Sequence, residues 1–178
     1  QINRFYTVEF FSSIKEKLVP GGVFSFVIPS SETYISSEQA ELLATFYYSL
    51  KSIFPQVTVI PGDNNIFLAS EGPVEDSYQV LSRRWQEAGL ETVFFRPELL
   101  PSRLNPAKKQ YLMDSIKTVK DPRLNYDSHP ISYFFSAVLW SKQFKGPELK
   151  VLSQLPEIGK FWLFDFPLII LLLVIFIF

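Results

Sequence analysis

Cysteine is absent from the 178 residues, histidine occurs once and methionine once. The lack of Cys removes disulfides, thiolate zinc sites and thiol nucleophiles together, and one His leaves too few ligands for a His-rich metal centre. No resident metal is expected, and a reducing compartment is compatible with the composition. An excess of one charge sign is missing as well, since 17 Lys and Arg stand against 18 Asp and Glu. Without a broad basic face to neutralise a row of phosphates, nucleic acid is not an expected partner. Glycine is scarce at seven residues, and no internal repeat or low-complexity tract precedes the hydrophobic tail.

What the chain has is apolar surface: 47% hydrophobic residues and 18 Phe, many of them near the two ends. Residues 161–178 read FWLFDFPLIILLLVIFIF with Asp165 as the single charge, and from Pro167 onward the run is unbroken. A helix over 167–178 rises about 18 Å, short of the bilayer's hydrocarbon core of about 30 Å. The run is therefore read as the truncated start of a transmembrane helix, the alternative being a buried helix of a soluble protein. Lys142, Lys145, Lys150 and Lys160 outnumber Glu148 and Glu157 ahead of it, which favours a cytoplasmic N-terminal flank. The chain opens on Gln1 and enters a patterned segment with no signal-like region, so both ends read as cut from a longer protein.

Between those ends the pattern is mixed α/β. Thr7 is placed to cap a helix carrying Phe10, Phe11, Ile14 and Leu18, and Pro20-Gly21-Gly22 ends it. Residues 23–28, VFSFVI, suit a strand covered on both faces, as at the centre of a parallel sheet. Ser36 with Gln39 has the form of a capping box before the stripe Leu42, Leu43, Phe46, Tyr47, Leu50, Ile53 and Phe54. Strands at 57–60 and 66–69 flank the turn formers Pro61-Gly62-Asp63-Asn64-Asn65 and predict an antiparallel edge hairpin. That order fits the closing half of a doubly wound sheet whose last strand is antiparallel. Further helices are expected with Val74, Tyr78, Leu81, Trp85 and Ala88 on one face, from residue 106 to about 116, and over 131–144, with irregular chain at 119–130. In the last of these helices Tyr133 and Trp140 suit a membrane interface, and packing on the domain is the equal alternative. The organisation expected is 1–72 for the sheet, 73–145 for a helical extension packed on the domain or the membrane interface, 146–160 for a linker and 161–178 for the truncated membrane helix.

Several strings carry a resemblance. Phe5-Tyr6-Thr7-Val8-Glu9-Phe10-Phe11, Leu18-Val19-Pro20-Gly21-Gly22-Val23, Phe54-Pro55 and Ile66-Phe67-Leu68-Ala69-Ser70 together resemble the C-terminal half of a spermidine synthase-like domain. Leu124-Asn125-Tyr126-Asp127-Ser128-His129-Pro130-Ile131-Ser132-Tyr133 resembles a segment of its membrane-fused branch, where the pattern is Asn-x-Asp-x-Arg-Pro-x-x-Tyr and His129 here takes the Arg position. The resemblance spans roughly residues 3–144. It implies a Rossmann-like class I methyltransferase fold and S-adenosylmethionine or decarboxylated S-adenosylmethionine as cosubstrate, with a small amine as acceptor. Its membrane-fused branch also implies membrane lipid as a partner, and the lysine excess ahead of the tail puts the α/β domain on the cytoplasmic side. In that family the glycine-rich cofactor loop and the catalytic acids precede the segment matching Phe5, so no catalytic residue is carried over to this chain, and the cosubstrate is expected to be held mainly by that preceding half. The loop reading Pro29-Ser30-Ser31-Glu32-Thr33-Tyr34 departs from the Gln and Glu that contact the polyamine in typical members, and the 61–65 turn lacks their Tyr.

In open α/β sheets ligands sit beyond the carboxyl ends of the strands. The loops after residues 28 and 60 occupy that edge, which makes Glu32, Tyr34, Asp63 and Asn64 the candidate substrate contacts; the ordinary alternative is turn chemistry alone. Arg123 and Asp127 are expected as a solvated ion pair, Thr7 and Glu9 as helix-start residues, and His129 as a cap or packing residue. The function expected is a fragment of a membrane-anchored aminopropyl- or methyltransferase-like enzyme, inactive alone. The alternatives are a non-catalytic domain that binds a small ligand and regulates attached membrane helices, and a soluble α/β interaction domain with the tail in its core.

Overall fold

A computed structural model describes residues 2–93 and 96–142. Up to Ser136 they gather into one compact unit, while 137–142 complete the last helix and belong to a second. The elements are a 3₁₀ turn at Ile2–Phe5, α1 (Val8–Lys15), β1 (Val23–Pro29), α2 (Ser37–Lys51), β2 (Gln56–Ile60) and β3 (Asn64–Ser70). These are followed by α3 (Tyr78–Glu87), a 3₁₀ turn at Pro97–Leu99, α4 (Leu100–Arg103), α5 (Pro106–Lys117) and α6 (Ile131–Lys142). Among the described residues no helix is long and apolar enough to cross a membrane; the expected linker at 146–160, the hydrophobic run at 161–178 and the side chain of Trp140 lie outside them.

The first helix starts where its sequence directs. Thr7 is extended and buried, and its Oγ1 accepts from the Phe10 amide at 3.3 Å. Leu18 falls beyond the helix, in the turn where Gly21 takes a φ of 77° and a Cβ on Gly22 would lie 2.9 Å from Leu18 Cδ2. Ser36 likewise caps α2 by accepting from the Gln39 amide at 3.2 Å. The reciprocal half of the expected capping box is replaced, since Gln39 Nε2 reaches Ser30 Oγ at 3.1 Å and ties the loop before the helix to its first turn.

The sheet order is β1-β3-β2, with both outer strands antiparallel to β3. The hairpin of β2 and β3 is as expected. The central, parallel and doubly covered placement of residues 23–28 is corrected: β1 is an edge strand of the described sheet and pairs antiparallel with β3, Phe26 opposite Phe67. Among the described residues, one of its faces is covered. Phe24, Phe26 and Ile28 turn toward α1 and α2, whereas Val23, Ser25 and Val27 on the other face are exposed. An apolar run specifies an extended segment without naming its neighbours, and Ser25 already marked the open side. The central position goes to β3, where Asn65, Phe67, Ala69 and Ser70 are all buried.

The phenylalanines form the core of this layer. Phe26 and Phe67 stack with ring centroids 5.0 Å apart at 1°, Phe11 stacks on Phe26 at 5.8 Å, and Phe46 of α2 meets Phe67 edge-on at 6.5 Å. Helix α2 is buried nearly all round, including Ala40, Leu42, Leu43, Ala44, Phe46 and Leu50, because the sheet covers one side and α5 packs along another. Helix α5 contributes Leu112 and Ile116 to that second contact, and Asn105 caps it by accepting from the amides of Ala107 and Lys108.

The irregular stretch before α6 is held by one residue. Asn125 is fully buried; its amide donates to Ser49 Oγ at 2.8 Å and its carbonyl accepts from the Val8 amide at 2.8 Å. Its Nδ2 donates to the Tyr6 carbonyl at 2.8 Å and its Oδ1 accepts from the Ser132 amide at 3.2 Å. Around it, Arg123 and Asp127 form no ion pair among the described residues. The Asp127 amide instead donates to Glu9 Oε2 at 3.1 Å, and the Arg123 charge acts on Glu41, whose carboxyl is raised by burial and partly drawn back by that guanidinium. His129 is exposed, with Nδ1 beside Ser128 Oγ and its backbone bonded both ways to Tyr126.

Replacing Asn125 by Ala removes its side-chain bonds to the Tyr6 carbonyl and the Ser132 amide, at a cost of about 1–3 kcal/mol. Asn125→Ala is expected to lower the urea midpoint accordingly, with hydrogen exchange rising first at the starts of α1 and α6. A midpoint within error of the parent chain would mean that the site relaxes and that these bonds do not hold the two helices.

Candidate functional site

Strands β1 and β2 both end beside the start of β3, since Pro29 lies opposite Asn64 and Ile60 opposite Ile66. The loop after β1 and the turn after β2 are therefore neighbours, and they touch: the Ser30 amide donates to the Asp63 carbonyl at 2.8 Å. Local chemistry shapes both. Ser31 Oγ accepts from the amides of Thr33 and Tyr34, at 3.3 and 3.4 Å, which turns the loop back toward α2. Asn65 Oδ1 accepts from the Gly62 amide at 3.1 Å and fixes the turn.

The four residues expected at this edge are all found there, in unequal surroundings. Glu32 is the anchored one: its Oε2 lies 2.5 Å from Lys108 Nζ of α5, and its side chain retains 28% of its exposure. The hydrogen bond from Lys108 lowers the Glu32 carboxyl below its usual range against the opposing effect of desolvation, and the charges of Lys108 and Arg103 add to the lowering. Tyr34 is 69% exposed, while Asp63 and Asn64 also face solvent. The structure thus brings Glu32 and the 63–64 turn to one edge through the Ser30 to Asp63 bond, and leaves Tyr34 outside that contact with its ring in water.

Four contributors were not foreseen. Lys108 supplies the partner of Glu32 from 76 residues downstream, and Tyr111 on the same helix accepts from the Ile35 amide at 3.3 Å. Arg103 approaches the turn closely enough that a Cβ on Gly62 would lie 3.0 Å from its Nη1. Asn65 is 1% exposed, and its Nδ2 has no hydrogen-bond partner among the described residues. The sequence held one signal for the first two, the cap Asn105 followed by paired lysines, because a capped helix start fixes where the next few side chains emerge. Lys109 uses that geometry too: it pairs with Asp76, which also accepts from Thr58 Oγ1 at 3.2 Å.

Elsewhere a hollow of about 430 Å³ is lined by Leu81, Arg84, Trp85, Ala88, Leu90 and Leu100. It is apolar and lacks converging polar groups, so it does not compete with the strand-end edge as a site of chemistry. Among the described residues no group of three or more His, Asp or Glu is gathered as metal ligands.

A carboxyl lowered in the folded chain stabilises above its unfolded pKa and loses that contribution as the pH falls through the folded value. Followed by the carboxyl carbon resonance, Glu32 is expected to titrate below the ordinary carboxylate range of about 4.3 and to move back up in Lys108→Met. An unchanged titration in that variant would show that the contact with Lys108 is not made in solution.

Compared with known protein families and with curated proteins, the chain matches no family model and no curated sequence.

Proposed function

We propose that this chain is the closing half of a spermidine synthase-like transferase domain, and that the edge formed by the loops after β1 and β2 receives a small amine acceptor. The observation that carries this reading is the meeting of those two loops through the Ser30 to Asp63 bond, with Glu32 and Asp63 on them. The topology supports it as well. Strands β1 and β2 run in the same direction, joined through α2, with β3 antiparallel between them, so their carboxyl ends share one edge. Carboxylates on two adjacent loops suit an ammonium ion, since each lowers the energy of a cation held between them.

In this reading the sulfonium cosubstrate is not held by the described residues of the strand-end edge. At the strand-end edge the two loops bond directly to each other, and the Gly21-Gly22 turn lies at the opposite end of β1. What the chain offers is acceptor binding: Glu32 and Asp63 to hold and orient an amine, with Tyr34 as an exposed ring beside the same loop. Residues 161–178 are the proposed anchor of this domain at the cytoplasmic face of a membrane.

Titration of the purified chain with 1,4-diaminobutane is expected to shift amide resonances of residues 30–35 and 61–65, at millimolar ligand, and Glu32→Gln or Asp63→Asn should weaken this severalfold. Calorimetry with S-adenosylmethionine should show no micromolar binding. Micromolar affinity for that cosubstrate, or diamine shifts confined to other parts of the chain, would overturn the reading of the site. In a separate test, the chain expressed in cells is expected to sediment with membranes and to need detergent for release. Its recovery in the soluble fraction without detergent would reject the anchor.

A further inference from the structure

The carboxylate best placed to hold an amine is already engaged by one. Lys108 projects from the first turn of α5 and puts its Nζ 2.5 Å from Glu32 Oε2. The end of a lysine side chain is a primary ammonium on an alkyl stem, the same group that terminates an aliphatic diamine. Both partners stay partly open to water, at 28% for Glu32 and 37% for Lys108, so a dissolved ammonium can reach the carboxylate and exchange with the tethered one.

The attachment of α5 at this edge is more than one ion pair. Tyr111, one turn beyond Lys108, accepts from the Ile35 amide, and Lys109 pairs with Asp76 just after β3. Helix α5 thus touches the loop that follows β1 at two points and the segment after β3 at a third. Arg103 adds a second positive charge facing Glu32. With Lys108 in place two cations balance the carboxylates of Glu32 and Asp63; with it withdrawn, the edge is left with two carboxylates to one guanidinium.

We infer that Lys108 is a tethered competitor, occupying the ammonium position at Glu32 so that α5 holds the site closed against free primary amines. This rests on the amine reading of the site given above. A closed state reduces apparent affinity by the fraction of time the site is open, so removing the competitor raises affinity without any new contact to the ligand.

The test is a resonance titration of the full chain and its variants with 1,4-diaminobutane. Lys108→Met keeps most of the aliphatic stem and removes the ammonium; it is expected to tighten binding about fivefold, the scale of a partly exposed ion pair. Lys108→Arg keeps a cation at Glu32 and should retain the weak parental affinity, and Lys117→Ala, which deletes a positive charge from the last turn of the same helix, should stay within about twofold. The gain in Lys108→Met should disappear when Glu32→Gln is added. If the parent binds the diamine and Lys108→Met binds it no tighter, the competitor is refuted while the amine site stands. An equal gain in Lys117→Ala reduces the effect to overall charge and refutes it too. If neither the parent nor Lys108→Met binds the diamine, the amine reading fails and takes this inference with it.

Discussion

Every polar group of Asn125 is spent on a different piece of the chain: the Ser49 hydroxyl on α2, the Val8 amide, the Tyr6 carbonyl and the Ser132 amide. Two of those partners are N–H groups in the first turns of helices, which have no acceptor within their own helix. One buried side chain and its backbone therefore complete the starts of both α1 and α6 and fasten them to the middle of α2. The network is closed, and in a low-dielectric interior a closed network orders its members while a half-satisfied one penalises them. The positions of Thr7, Phe11 and the aromatic stack behind them depend on this junction, because it fixes how α1 lies against α2 and the sheet.

Helix α2 is the hub that transmits this order to the candidate site. One side of it meets Phe26 and Phe67 of the sheet, another meets α5, and its first turn holds Ser30 through Gln39. Consecutive lysines on α5 then reach in two directions, Lys108 to the loop after β1 and Lys109 to the segment after β3. The strand ends alone do not define this edge. A helix far along the chain sets the charge around Glu32, so the electrostatics there belong to the fold of the whole unit up to Ser136.

The elements legible in the sequence were those set by local chemistry. Thr7 and Ser36 cap helices because a short oxygen-bearing side chain satisfies the orphan amides next to it, and the 61–65 turn forms because its residues favour such backbone. The apolar stripe of α2 and the start of α5 follow from three- and four-residue spacing. What the sequence could not show were relations between distant residues: which strand sits in the middle, that Asn125 is buried, and that Glu32 finds Lys108. Within the string around Asn125, Asn125 and Ser132 are buried, whereas Tyr126, Ser128 and His129 are exposed and Asp127 bonds through its backbone to Glu9. At the candidate site the four residues on the loops were legible from strand ends, whereas Arg103, Lys108 and Asn65 required the tertiary arrangement.

The strand order has a consequence for how the chain assembles. β3 is made last of the three strands and stands between the other two, so β1 has no partner in this sheet until Ser70 has been synthesised. The hairpin of β2 and β3 closes across a turn of a few residues, a microsecond event, while joining β1 to β3 requires closing a loop that contains all of α2. Assembly is thereby ordered in time: hairpin first, β1 afterward, with α2 carrying the aromatic surface on which the three strands settle. Until then Phe26 lacks the Phe67 ring on which it stacks and β1 lacks its β3 partner, so the interval between the synthesis of Val23 and that of Ser70 is one in which this strand is open to pairing with other chains.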